Sequence, residues 1–97
     1  MLGVVATLKI KEGTNTEFEA AAGRLIAAVT SSEPGCLLYA LHRTDDPNCY
    51  VFMERYTDEE ALANHGKSDD FRAIGAEMGA FMDGRPEIMR LQQVDWD

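Results

Sequence analysis

Two stretches with the period of a β-strand, Cys36 to Arg43 and Asn48 to Tyr56, flank the turn-forming run Thr44-Asp45-Asp46-Pro47. Alternation on both sides of an Asp/Pro turn predicts an antiparallel hairpin. A hairpin cannot bury its own apolar side chains, so the rest of the chain must supply a neighbouring strand and a covering layer. Leu2, Val4, Ala6, Leu8 and Ile10 alternate with Gly3, Val5, Thr7 and Lys9, which predicts a further strand over residues 2–10 with one strongly buried face.

Helices are predicted where the period changes. Thr14 followed by Glu17 has the spacing of a capping box, and Phe18, Ala22, Leu25 and Val29, joined by Ala21 and Ile26, form one stripe. That helix should run to about Ser31, because Pro34 disfavours helix just ahead of it. A second capping box, Thr57 with Glu60, opens a short helix that His65-Gly66 should end, with Gly66 as a left-handed cap. Ser68 can cap a further segment carrying Phe71, Ile74, Met78 and Phe81 or Met82. Gly84-Arg85-Pro86 breaks it, residues 87–94 can form a last strand, and Asp95-Trp96-Asp97 is expected to be exposed or docked on a partner.

The resulting order is strand, helix, strand, strand, broken helix, strand. With right-handed crossovers it gives an α+β, ferredoxin-like βαββαβ sandwich with a four-stranded antiparallel sheet, a single domain over residues 1–97. Both faces of that sheet carry apolar side chains. In the third strand Tyr50, Phe52, Glu54 and Tyr56 point one way and Val51 and Met53 the other, while in the second Leu37, Tyr39 and Leu41 oppose Cys36, Leu38 and Ala40. His42 is expected to point outward with Cys36, at the surface or a dimer interface. Helices cover one face only, so a second copy related by two-fold symmetry is expected on the other, making a homodimer.

The net charge of −8 disfavours nucleic acid and anionic membrane surfaces as partners, and no run of apolar residues approaches the roughly 20 that a spanning helix needs. The first residues read as a strand rather than a signal peptide, and a cytoplasmic location is expected. Cys36 and Cys49 stand at different distances from the hairpin turn and should not face each other, so both are expected to be free thiols. No H-x-x-x-H or C-x-x-C pair and no glycine-rich phosphate loop is present, so neither a metal nor another cofactor is expected.

The Glu33-Pro34-Gly35-Cys36 turn, the strand carrying Tyr39, the Asp45-Asp46-Pro47 turn, the strand end Glu54-Arg55-Tyr56, the run Glu59 to His65 and the following Ser68-Asp69-Asp70-Phe71 together resemble the antibiotic biosynthesis monooxygenase (ABM) family. The likeness spans nearly the whole chain. It implies a dimeric α/β barrel and a cofactor-independent monooxygenase that uses O2 on a phenolic, quinol or polycyclic aromatic small molecule. His65 stands where many such sequences carry histidine and Tyr56 where many carry tryptophan. Haem-degrading relatives use a strand-one asparagine, a tryptophan and an axial histidine. Here strand one lacks asparagine, Tyr56 stands for the tryptophan and Gly75 falls at the axial position, so haem degradation is disfavoured.

Within this frame His65 is the candidate base, since a neutral imidazole can take a phenol proton near neutral pH. A histidine in the last turn of a helix also interacts favourably with the helix dipole, so both readings stand. Glu54, among aromatics, is the second catalytic candidate, orienting a proton or the substrate; a salt bridge or cap to the next helix is its structural alternative. Tyr56, Phe52, Tyr39 and Phe71 are candidate substrate-binding walls, and each also fits ordinary core. Two other functions remain open: a non-catalytic dimeric module binding a small aromatic molecule, and an isomerase or degrading enzyme for a small oxygenated metabolite.

Overall fold

The computed structural model describes residues 1–96. The elements are β1 (Leu2–Lys9), α1 (Asn15–Ser32), β2 (Cys36–Arg43), β3 (Cys49–Tyr56), α2 (Glu59–Lys67), α3 (Asp69–Gly79) and β4 (Glu87–Gln92). The strands form one sheet in the order β2-β3-β1-β4, every neighbouring pair antiparallel. This is the ferredoxin-like α+β arrangement, with the predicted hairpin at one edge of the sheet and the last strand at the other.

The core lies between the sheet and α1. Phe18, Ala21, Ala22, Leu25 and Val29 of α1 are buried against Ala6 and Leu8 of β1, Tyr50 and Phe52 of β3, and Met78 of α3. Ile26 packs at the margin. Helix α2 lies on β2 and β3, whereas α3 leans on α1 and α2. Edge strand β4 is therefore exposed along its whole length.

Three local expectations are corrected. Thr14 does precede α1, but it makes no side-chain cap; its hydroxyl donates to the Lys11 carbonyl at 2.6 Å. The turn at Gly13, with φ of 83°, aims the hydroxyl backwards. The cap of α2 is Asp58, whose carboxylate accepts the Ala61 N–H at 2.8 Å, because the Thr57 N–H is already used on the Gly35 carbonyl. Gly66 does not end α2: the helix runs through Lys67, and the extended backbone of Ser68 makes the break while its hydroxyl accepts the Phe71 N–H.

The strict alternation expected of β2 also fails at one point. A bulge between Cys36 and Leu38 pairs Cys36 with Tyr56 and Leu38 with Arg55. Cys36, Tyr39 and Leu41 consequently pack toward the core. Leu37 joins Leu38 beside a shallow depression on the open face. His42 pairs with Val51 and shares the open face with Leu38 and Ala40, rather than with Cys36. A one-residue bulge changes which side chains lie inward on one side of it only.

Across the open face run the rows Ala40–Met53–Val5–Met89 and Leu38–Arg55–Gly3–Leu91. Leu37, Leu38, Met53, Met89 and Leu91 are each roughly half exposed there. No helix among the described residues is long and apolar enough to cross a membrane.

Candidate functional site

A cavity of about 500 Å3 opens between the sheet and helices α2 and α3, with walls that are almost entirely apolar. Two rows of the sheet make its floor. One runs Tyr39–Glu54–Val4–Arg90 from β2 to β4 and the next Phe52–Ala6–Ile88 from β3 to β4. His65 of α2 and Phe71 of α3 close it from above.

The local fold explains how His65 arrives there. Glu59 and Glu60 lie in the first turn of α2, where the helix dipole favours carboxylates. Ala61 and His65 are one helical turn apart and share the inward side. Gly35 lets the end of α1 approach that side. A Cβ on Gly35 would lie 2.6 Å from the Ala61 Cβ, so only glycine permits this approach. The close packing sets Glu33, which follows α1, beside His65. The imidazole Nδ1 lies 2.9 and 3.2 Å from the two carboxylate oxygens of Glu33. The His65 side chain is buried, at 6% exposed, and that of Glu33 is largely covered, at 12%.

This contact assigns the ring. Nδ1–H donates to Glu33, which leaves Nε2 as the free nitrogen. Nε2 has no hydrogen-bond partner among the described residues, yet no buried side-chain nitrogen or oxygen there is left unpartnered. It is therefore open to the cavity that the ring lines. Phe71, Tyr39 and Tyr56 hold the imidazole plane, with ring centroids 4.4, 5.1 and 5.5 Å away.

Glu54 lies beside this base. Burial raises its carboxyl above the ordinary range, although the Tyr56 hydroxyl donated to it and the charge of His65 oppose the shift. Burial, together with the Glu54 charge, raises the Tyr39 hydroxyl, and burial with the hydrogen bond to Glu54 raises that of Tyr56. Both phenols therefore stay protonated. Burial also pushes the Cys36 thiol to about 11, so it is not a thiolate at neutral pH.

The predicted residues His65, Glu54, Tyr39, Phe52 and Phe71 all line the cavity. Tyr56 does not. It is fully buried behind Glu54, and it acts on the site through its hydrogen bond to that carboxylate rather than as a wall. Glu33, Arg72 and Arg90 were not singled out from the sequence. Glu33 did leave a signal, because a carboxylate at the C-terminal end of a helix opposes the dipole and calls for a partner such as His65.

A ferredoxin-like sandwich with an apolar cavity under its second helix, lined by His65 and Glu54, defines a small α+β protein with a pocket between its sheet and helices. More closely, the chain belongs to the antibiotic biosynthesis monooxygenase family, whose sequence model matches residues 1–77. It is similar in structure to a Caulobacter crescentus protein assigned to the antibiotic biosynthesis monooxygenases, at 43% identity over 97% of this chain and 90% of that one, with a TM-score of 0.93. A conserved protein of Methanosarcina mazei is 28% identical over 96% of this chain and 92% of its own, with a TM-score of 0.89. An antibiotic biosynthesis monooxygenase is 27% identical over 98% of this chain and 100% of its own, also at 0.89. No curated protein matches the chain.

Proposed function

We propose that the protein is a cofactor-independent monooxygenase that oxidises a phenolic, quinol or polycyclic aromatic small molecule with O2. The observation that carries this reading is His65, with Nδ1 held by the largely covered Glu33 and Nε2 open to an apolar cavity of about 500 Å3. Nε2 takes the phenolic proton, and Glu33 balances the imidazolium that forms. The phenolate is electron-rich enough to pass electrons to O2, after which a ring carbon and one oxygen atom join as a hydroperoxide. Loss of the proton from that carbon, with cleavage of the O–O bond, leaves a carbonyl. The proton on the hydroperoxide is the phenolic one, returned by His65, which in its neutral form then takes the proton lost from the carbon and passes it to the departing hydroxide, so that it leaves as water. For a simple phenol the sum is phenol plus O2 giving quinone plus water, so the substrate supplies every electron. Apolar walls keep bulk water from the intermediates.

The reading includes a homodimer formed by stacking two open sheet faces. Leu38, Met53, Met89 and Leu91, all half exposed on one face, support it. It also includes a cytoplasmic setting, in keeping with the free thiols Cys36 and Cys49.

The test is oxygen uptake by metal-free protein with a panel of quinols and polycyclic phenols under 18O2, with His65→Ala in parallel. One labelled atom in the product and one in water, lost in the variant, is the expected result. An aromatic that binds without oxygen uptake refutes the oxygenase and leaves a binding module. Unchanged turnover in His65→Ala removes His65 as the base.

A further inference from the structure

We infer that the cavity takes an aromatic acid, with its phenolic end at His65 and a carboxylate at the β4 rim held by Arg90 and Arg72. The inference rests on the cavity being the substrate site and names the class of molecule that enters it.

The polar side chains of this apolar cavity come from different elements. Tyr39 and Glu54 line it from the hairpin and His65 from α2, whereas Arg90 lines it from β4, across the sheet, and Arg72 from the start of α3. In the row Tyr39–Glu54–Val4–Arg90, two strand spacings separate Glu54 from Arg90. That is about 10 Å between backbones. A planar molecule of two or three fused rings lying along the row reaches from one end to the other. Its middle would rest on Val4, Ala6 and Phe52, which are apolar and buried.

Charge supports the same placement. The chain has 17 acidic and 9 basic side chains, so an anion is repelled by most of the surface. Two of those few cations border this opening. Arg72 makes no ion pair or side-chain hydrogen bond among the described residues. Arg90 is paired with Glu59 at 2.6 Å, but both are well exposed, at 55 and 74%. Such an exposed pair contributes little and is readily exchanged. A ligand carboxylate that engages Arg90 side-on, with Arg72 nearby, offers stronger charge-assisted bonds than Glu59 does. Glu59 then acts as an internal stand-in that occupies Arg90 until the ligand arrives. Arg90 lies on β4, beyond residues 1–77, the stretch matched by the family's model.

The experiment titrates 6-hydroxy-2-naphthoic acid and its methyl ester into the full chain at neutral pH and low salt, following the fluorescence of the ring. Three proteins are compared: wild type, the double variant Arg72→Gln/Arg90→Gln, and Glu59→Gln. Wild type should bind the acid at least tenfold more tightly than the ester, and added salt should erode that preference. The double variant should lose the preference while binding the ester as wild type does. Glu59→Gln should tighten the acid alone. Equal affinity for acid and ester in wild type, a preference that survives in the double variant, or no binding of either probe would overturn the inference. Retained acid preference without oxygen uptake on any substrate refutes the monooxygenase and leaves the ligand class standing. Turnover of neutral phenols with no acid preference does the opposite.

Discussion

Replacing Glu33 by alanine strips from His65 Nδ1 its only partner among the described residues, in a side chain that is 6% exposed. A buried donor left without an acceptor costs about 1–3 kcal/mol. Glu33→Gln is the control, since its amide oxygen can still accept from Nδ1–H. It exchanges a charge-assisted bond for a neutral one, a loss of about 1 kcal/mol. It also removes a carboxylate from the C-terminal end of α1, where the dipole disfavours it by about 0.3–1 kcal/mol. The net cost for glutamine should therefore fall below about 1 kcal/mol, with alanine clearly worse. Urea denaturation with an unchanged slope reads the difference, and each kcal/mol should appear as about 4–8 °C in Tm for a chain of this size. Nitrogen-15 spectra of the imidazole read the cause. Wild type should show Nδ1 protonated and Nε2 bare at a pH where the ring is neutral, and Glu33→Ala should mix the two tautomers. Alanine as stable as wild type, or Nε2 carrying the proton in wild type, would refute the assignment of Nε2 as the open base.

Three further perturbations test neighbouring parts of the argument. Gly35→Ala sets a Cβ 2.6 Å from that of Ala61, so it should cost about 1–3 kcal/mol in urea denaturation and loosen the Glu33–His65 contact; a neutral effect would show that the turn is not held against α2. Gly75→Ala has the opposite sign: a Cβ there meets nothing within 4 Å and the backbone is right-handed helix, so the chain should gain about 0.5–1 kcal/mol while a ligand in the cavity binds more weakly, both read in one titration series. Glu54 has a raised folded-state pKa, so the native state holds its proton more tightly than the unfolded chain does. Its burial penalty is absent below the unfolded value near 4.5 and grows as pH rises toward the folded value. Stability curves of wild type and Glu54→Gln should accordingly diverge above about pH 4.5, with the glutamine variant the more stable at pH 7.

The hairpin was legible because its two strands alternate cleanly and an Asp-Pro turn separates them; β2 begins and ends at the predicted residues, Cys36 and Arg43. The bulge in β2 left no trace, since Cys36, Leu37 and Leu38 are all apolar and any register looks equally hydrophobic. Both capping boxes had the right residue types at the right spacing, and both failed on backbone geometry that a pattern does not contain. Glu54, Tyr39, Phe52 and Phe71 were found because strand parity and helical spacing place them on inward faces, and His65 because it stands where the family resemblance puts a histidine. The partner of His65 was not, because Glu33 is 32 residues away and the contact depends on how closely α1 approaches α2. Arg90 is a further step removed. Its place at the rim follows from the pairing of Val4 with Arg90, a register between the first and last strands that no local signal encodes.

The cavity itself has a physical origin in the break at Ser68. A straight continuation of α2 would lay one helix along the sheet and bury the inward side of β1, as α1 does on its own half of the core. Ser68 instead takes an extended backbone and caps a new helix. Helix α3 then settles against α1, tied by the Arg24–Glu77 ion pair, rather than down onto the sheet. Val4, Ile88 and Arg90 are left bordering a space instead of a helix. Gly66 and Gly75 border the same space, with room for a Cβ at each and no positive φ to require glycine. Each lowers helix stability by about 0.8–1 kcal/mol relative to alanine. Neither backbone conformation nor packing requires glycine at these two positions, so under the proposed function their room serves the ligand, which is what Gly75→Ala tests.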